Sequence, residues 1–118
     1  MENGKCALAT NLTSGVALGS SEFHVFRANA EKIDKKYLFT LLNRQSVRIE
    51  AEKNMTGASG HRRVPIAFYE NLEIPLPLLS EQRKVVAKIE KLENEIAELQ
   101  KESATFTERK NAVLKKWL

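Results

Sequence analysis

SEQRKVVAKIEKLENEIAELQKESATFTERKNAVLKKW, residues 80–117, decides the architecture. Within it Val85, Ile89, Leu92, Ile96 and Leu99 recur at alternating steps of four and three. Phe106, Val113 and Trp117 resume that register after Ser103, and Lys110 falls on it. Such steps line side chains along one seam of an α-helix, the pattern of a coiled coil. The stretch holds no Gly or Pro and is dominated by Lys, Glu, Leu, Ala, Gln and Ile, most of which enter a helix at little cost. The sequence thus predicts one helix over residues 80–118, with a rod about 55 Å long at the helical rise. Its seam could pack on the chain's own small domain, but it runs over more heptads than residues 1–79 can cover, which favours a second helix as partner. In a symmetric dimer the same eight side chains would meet their own copies. Ser103 and Lys110 weaken the middle and far end of the seam, and such polar insertions can set register.

Immediately upstream stands Glu73-Ile74-Pro75-Leu76-Pro77-Leu78-Leu79. Two prolines one residue apart hold the backbone extended and cannot sit inside a helix, so this is a stiff apolar arm. Ser80 is expected to cap the long helix, with Glu81 favourably near the positive end of its dipole.

Further back lies Asn54-Met55-Thr56-Gly57-Ala58-Ser59-Gly60-His61-Arg62-Arg63. The glycines let the backbone turn sharply and approach a ligand, while Thr56, Ser59, His61, Arg62 and Arg63 supply donors suited to phosphates and base edges. Between Arg44 and Arg63 the chain carries five Lys or Arg against two Glu, Arg48 among them, which makes this a local basic patch. Residues 57–60 also match the bare G-x-x-G loop of one class of RNA-binding domains, a pattern too short to assign alone.

The remaining elements read as mixed. Residues 1–21, rich in Gly, Ser, Thr and Asn, read as loop or weak strands. Phe23, His24, Val25 and Phe26 are strand formers, so residues 22–27 are expected to form a strand buried in part on both faces. Asp34 is placed to cap a helix whose stripe is Tyr37, Leu38, Leu41 and Leu42. A second helix is expected over 46–53, a short strand over 64–66, and a turn of helix over 68–72. The expected fold is therefore α/β (α+β), a small domain over residues 1–79 followed by the long coiled-coil helix.

Of the 118 residues, 42% are hydrophobic and 29% charged, the balance of an ordinary globular protein. The net charge of +4 divides equally between residues 1–79 and 80–118, so any polyanion-binding patch must be local. Cys6 is the sole cysteine, which excludes an internal disulfide and offers no cysteine-rich metal framework. No signal peptide and no membrane-length apolar run is evident, and a cytoplasmic location is expected.

Catalytic inventory is thin. His24 and His61 are the only histidines. His24 reads as a satisfied core residue, and His61, beside Arg62 and Arg63, as a polar contact. Glu50 and Glu52 stand two apart on a helix, where side chains do not converge on one ion. No catalytic site, metal or cofactor is expected.

The order helix, Gly-rich basic loop, Pro arm and long helix resembles the DNA specificity subunits of type I restriction-modification systems, specifically the C-terminal half of a target recognition domain and its spacer helix. The resemblance is carried by Lys36-Tyr37-Leu38-Phe39-Thr40-Leu41-Leu42, by Thr56-Gly57-Ala58-Ser59-Gly60-His61-Arg62-Arg63-Val64-Pro65, and above all by Ile74-Pro75-Leu76-Pro77-Leu78-Leu79-Ser80-Glu81-Gln82-Arg83-Lys84-Val85-Val86-Ala87-Lys88-Ile89. It implies a non-catalytic, sequence-specific binder of double-stranded DNA that works with methyltransferase and restriction subunits. An intact subunit of that family has two recognition domains separated by two antiparallel helices, so a homodimer of this chain could imitate the plan. The DNA-facing residues would then be Arg44, Arg48, Thr56, Gly57, Ser59, Gly60, His61, Arg62 and Arg63. Those of the helix pairing would be Val85, Ile89, Leu92, Ile96, Leu99, Phe106, Val113 and Trp117. The rival expectation is a coiled-coil assembly module without DNA binding of its own.

Overall fold

Asp34 begins the first helix. Its Oδ1 accepts from the backbone N–H groups of Lys36 at 2.9 Å and Tyr37 at 3.1 Å, two donors that no preceding turn can satisfy. The computed structural model of the chain describes residues 6–118, so the reading of residues 1–5 as loop or weak strand lies outside the described residues. From this cap runs α1 (Lys35–Leu42), followed by α2 (Gln45–Lys53), α3 (Ile66–Glu70) and the long α4 (Leu79–Trp117). A single 3-10 turn at Thr13–Gly15 precedes them.

Two units divide the chain, Met1–Arg83 and Lys84–Leu118. The core of the first gathers Ile33, Tyr37, Leu41, Ala51 and Val64, all buried. Tyr37 and Leu41 lie four apart on the inward stripe of α1, and Ala51 is the position of α2 that closes against other groups. At about 1.5–3 kcal/mol for each large apolar side chain buried, these few make a thin core among the described residues. Polar ties supplement it. Tyr37 donates its hydroxyl to the Pro75 carbonyl at 3.2 Å, which holds the proline arm to α1.

Gln82 is the largest fully buried side chain among the described residues. Its Oε1 accepts from the Asp34 backbone N–H at 2.8 Å, and its Nε2 donates to the carbonyls of Lys32 at 3.0 Å and Pro77 at 2.8 Å. One amide thus joins the segment before α1, the arm and the opening turn of α4, with every bond it makes directed at backbone.

Four expectations need correction. The fold is not α/β: among the described residues there is no sheet, and the sole β-type pairing is an isolated antiparallel bridge between Thr56 and Arg63. Residues 22–27 form no strand, and Phe23, Val25 and Phe26 are exposed. Alternating strand formers favour an extended backbone, but a strand exists only where another segment offers a ladder. Residues 64–66 likewise form no strand, because Pro65 has no N–H to give a ladder and Ile66 already opens α3. The long helix, finally, starts one residue earlier than expected. The Leu78 carbonyl accepts from Glu81 at 2.9 Å and Gln82 at 3.0 Å, which puts Ser80 inside the first turn rather than at its cap.

The second unit is helix throughout, apart from the terminal Leu118. Leu92, Ile96, Leu99, Phe106, Val113 and Trp117 are all more than half exposed, and Val85 is 40% exposed. Thr105 and Thr107 return their hydroxyls to the carbonyls of Lys101 and Ser103, and the Arg109 guanidinium lies 5.7 Å from the Phe106 ring centroid. Among the described residues no helix is long and apolar enough to cross a membrane.

Candidate nucleic-acid interface

Backbone pairing shapes the loop between α2 and α3. Thr56 N–H donates to the Arg63 carbonyl at 3.0 Å and Arg63 N–H returns to the Thr56 carbonyl at 2.9 Å, closing residues 57–62 into a lobe. Inside it His61 N–H donates to Ala58 at 2.9 Å. Gly57 has φ +113° and Gly60 φ +85°, a region L side chains rarely adopt. A Cβ on Gly57 would also stand 2.7 Å from the His61 carbonyl oxygen, so this lobe requires glycine there on two counts.

Every residue from Thr56 to Arg63 is exposed. The lobe therefore presents the hydroxyls of Thr56 and Ser59, the His61 ring and two guanidinium groups to solvent on one turn of chain. The guanidiniums are not equally available. Arg62 Nη2 makes a long 3.4 Å bond to the Met55 carbonyl, whereas Arg63 Nη1 lies 3.5 Å from Glu22 Oε2.

A half-buried histidine supports the stem. His24 Nε2 donates to the Val64 carbonyl at 2.7 Å, as a carbonyl can only accept, and its ring meets Tyr69 edge-on at 5.6 Å. Phe26 and Phe68 also pack edge-on against Tyr69, at 5.0 and 5.1 Å. His24 is thus the satisfied structural histidine its neighbours suggested. Burial pushes the Tyr69 phenol above its ordinary pKa, the Cys6 thiol adding to the effect. Burial likewise raises Cys6, against a weaker opposite pull from Asn43.

Of the nine residues expected to face DNA, seven share this lobe. Arg44 and Arg48 do not, since Arg44 is the N-cap residue of α2 and Arg48 lies in that helix's first turn. Arg48 is half-buried with its Nε enclosed and without a hydrogen-bond partner, so part of its cation is withdrawn from the surface. Glu50 is taken by Lys53 at 3.3 Å, three residues on. Among the described residues no group of three or more His, Cys, Asp or Glu side chains is placed to hold a metal ion.

Two contributors escaped the sequence reading. Gln82 was legible only as part of a motif, although it stands four and seven residues before Val86 and Ile89, a polar type on an apolar stripe. Glu22 gave no signal, because its partner lies far along the chain.

Comparison with known proteins identifies the pattern. Residues 3–105 match the family model for the type I restriction modification DNA specificity domain. The chain is 35% identical over 104 residues to the specificity subunit of the type I restriction enzyme EcoAI of Escherichia coli, and 33% identical over 104 residues to that of EcoEI from the same species. These alignments cover 88% of this chain and 18% of each relative. The specificity subunit of MjaVIII from Methanocaldococcus jannaschii is 31% identical over 90 residues, which is 75% of this chain and 21% of the relative. The chain spans about a fifth of the length of these curated relatives. No solved structure gives a significant match. The chain belongs to the type I restriction-modification DNA specificity family.

Proposed function

We propose that this chain is a non-catalytic DNA-specificity component of a type I restriction-modification system, acting in the cytoplasm as a half-subunit that contacts double-stranded DNA through the Thr56–Arg63 lobe. The family match over residues 3–105 carries the reading, and the lobe supplies its chemistry. Phosphates are met by guanidinium groups, hydroxyls and backbone N–H donors, and base edges by Arg, Ser, Thr and His at close range. Gly57 and Gly60 keep the backbone bare enough for a duplex to approach.

In this reading α4 pairs with a second copy through Val85, Ile89, Leu92, Ile96, Leu99, Phe106, Val113 and Trp117, giving two recognition units on one rod. Exposure of all of these side chains except Ile89 supports it, since apolar groups at heptad spacing are unfavourable in water without a partner. Methyltransferase subunits dock on this assembly, and a restriction subunit joins through them. Arg44 and Arg48 are secondary DNA contacts at most, given their place on α2.

A second reading is favoured by one observation: Arg63, half of the lobe's guanidinium charge, is paired with Glu22. An assembly module that no longer binds DNA would tolerate such a pairing without loss. Mobility shift on duplex DNA, run beside sizing of the chain and followed by footprinting with a co-purified methyltransferase, separates the two. A retarded duplex and a protected footprint support the first reading. A dimer that neither shifts nor protects DNA supports the second and overturns the first.

A further inference from the structure

We propose that Glu22 is an electrostatic brake on the lobe, holding Arg63 so that the chain binds DNA of arbitrary sequence less tightly than its loop cations would allow. The inference rests on the lobe facing DNA. Glu22 lies 3.5 Å from Arg63 across 40 intervening positions, and the backbone that carries it is tied down on both sides. Its backbone N–H donates to Ser20 Oγ at 3.2 Å, and Phe23 N–H donates to the Ser20 carbonyl at 3.1 Å. Two residues on, His24 is bonded to Val64, the residue next to Arg63, and Phe26 is packed on Tyr69. The strap that carries the carboxylate is therefore fastened to the stem of the lobe.

The contact itself is loose. A single 3.5 Å approach between side chains 46% and 67% exposed is weak and leaves the other guanidinium donors free. A DNA phosphate can take the place of the carboxylate, but must first compete with it and then tolerate its charge nearby. Sequence-independent affinity depends on how many phosphates the protein neutralises, while contacts to base edges do not. A carboxylate that offsets one of two loop cations subtracts from the first term and leaves the second largely intact. Its consequence is discrimination rather than strength.

The test is Glu22→Gln in the full chain, titrated against random-sequence duplex by fluorescence anisotropy between 0.05 and 0.2 M salt. Restoring one cation should tighten binding roughly fivefold near 0.1 M and steepen the slope of log K against log salt by about 0.9. In an Arg63→Ala background the same change should gain no more than about twofold, the remainder being repulsion between carboxylate and phosphate. Glu31→Gln, which removes an equal charge from an exposed position that makes no ion pair with the lobe arginines, should leave the affinity of the parent chain within about twofold. Unchanged or weaker binding by Glu22→Gln, or an equal gain from Glu31→Gln, overturns the brake. If Arg62→Ala with Arg63→Ala leaves random-duplex affinity unaltered at low salt, the DNA-facing lobe itself fails, and the brake with it.

Discussion

Replacing Gln82 by Leu should cost about 3 kcal/mol of stability. The side chain is completely buried and makes three hydrogen bonds, to Asp34 N–H and to the carbonyls of Lys32 and Pro77. Each such bond is worth about 1 kcal/mol net, and Leu, close to Gln in volume, leaves no cavity but strands the three backbone groups. For a domain of this size the loss corresponds to a fall in Tm of roughly 10–20 °C. Gln82→Glu sharpens the test. The introduced carboxylate can still accept from Asp34 N–H, but it has no proton for the two carbonyl oxygens and would bring a charge into a buried site. Burial raises the folded-state pKa of a carboxyl above its unfolded value, so the folded form favours the protonated group. Stability is then retained at low pH and lost as pH rises through the folded pKa. Gln82→Glu should thus be less stable than Gln82→Leu at pH 7.5 and recover on acidification to pH 5. Thermal melts by circular dichroism report the global loss, and hydrogen exchange at the Asp34 amide reports the local one. A cost below about 0.5 kcal/mol for Leu, or a pH-independent Glu variant, would refute the assignment of Gln82 as the polar tie of this core.

Gly57→Ala should disorder the lobe, since it combines an unfavourable φ with a 2.7 Å clash on backbone; loss of the Thr56–Arg63 cross-bridge contacts in nuclear Overhauser spectra checks it. Gly60→Ala, whose added Cβ meets nothing within 4 Å, should cost only the left-handed backbone term of about 1 kcal/mol. If α4 pairs with a second copy, Ile96→Asp should convert a dimer to a monomer in sedimentation equilibrium while leaving helix content of the remaining chain close to that of the parent. A dimer undisturbed by that charge would place the interface elsewhere.

Features set by neighbouring residues were readable from the chain, and those set by distant ones were not. Asp34 and its two acceptor contacts lie within one turn, so the start of α1 followed from residue type. The step pattern of α4 needs only the helical period. The missing sheet has the opposite origin: residues 22–27 have strand-forming side chains, but a partner strand is a property of the whole fold and none is present among the described residues. Ser80 was displaced from the cap by a carbonyl, Leu78, whose role no side-chain type announces. In the candidate interface the lobe residues and their glycines stood out because turn chemistry is local. Glu22 opposite Arg63 and Gln82 opposite Lys32 pair across long sequence separations, and such contacts leave no periodic trace.

Whether the Thr56–Arg63 lobe meets DNA is decided by the salt dependence of duplex binding, measured for Arg62→Ala with Arg63→Ala beside the parent chain. Removing two phosphate-facing cations should weaken binding on every duplex tested and reduce the slope of log K against log salt by about 1 to 2. Equal affinity and an equal slope at low salt would place any DNA contact outside the lobe.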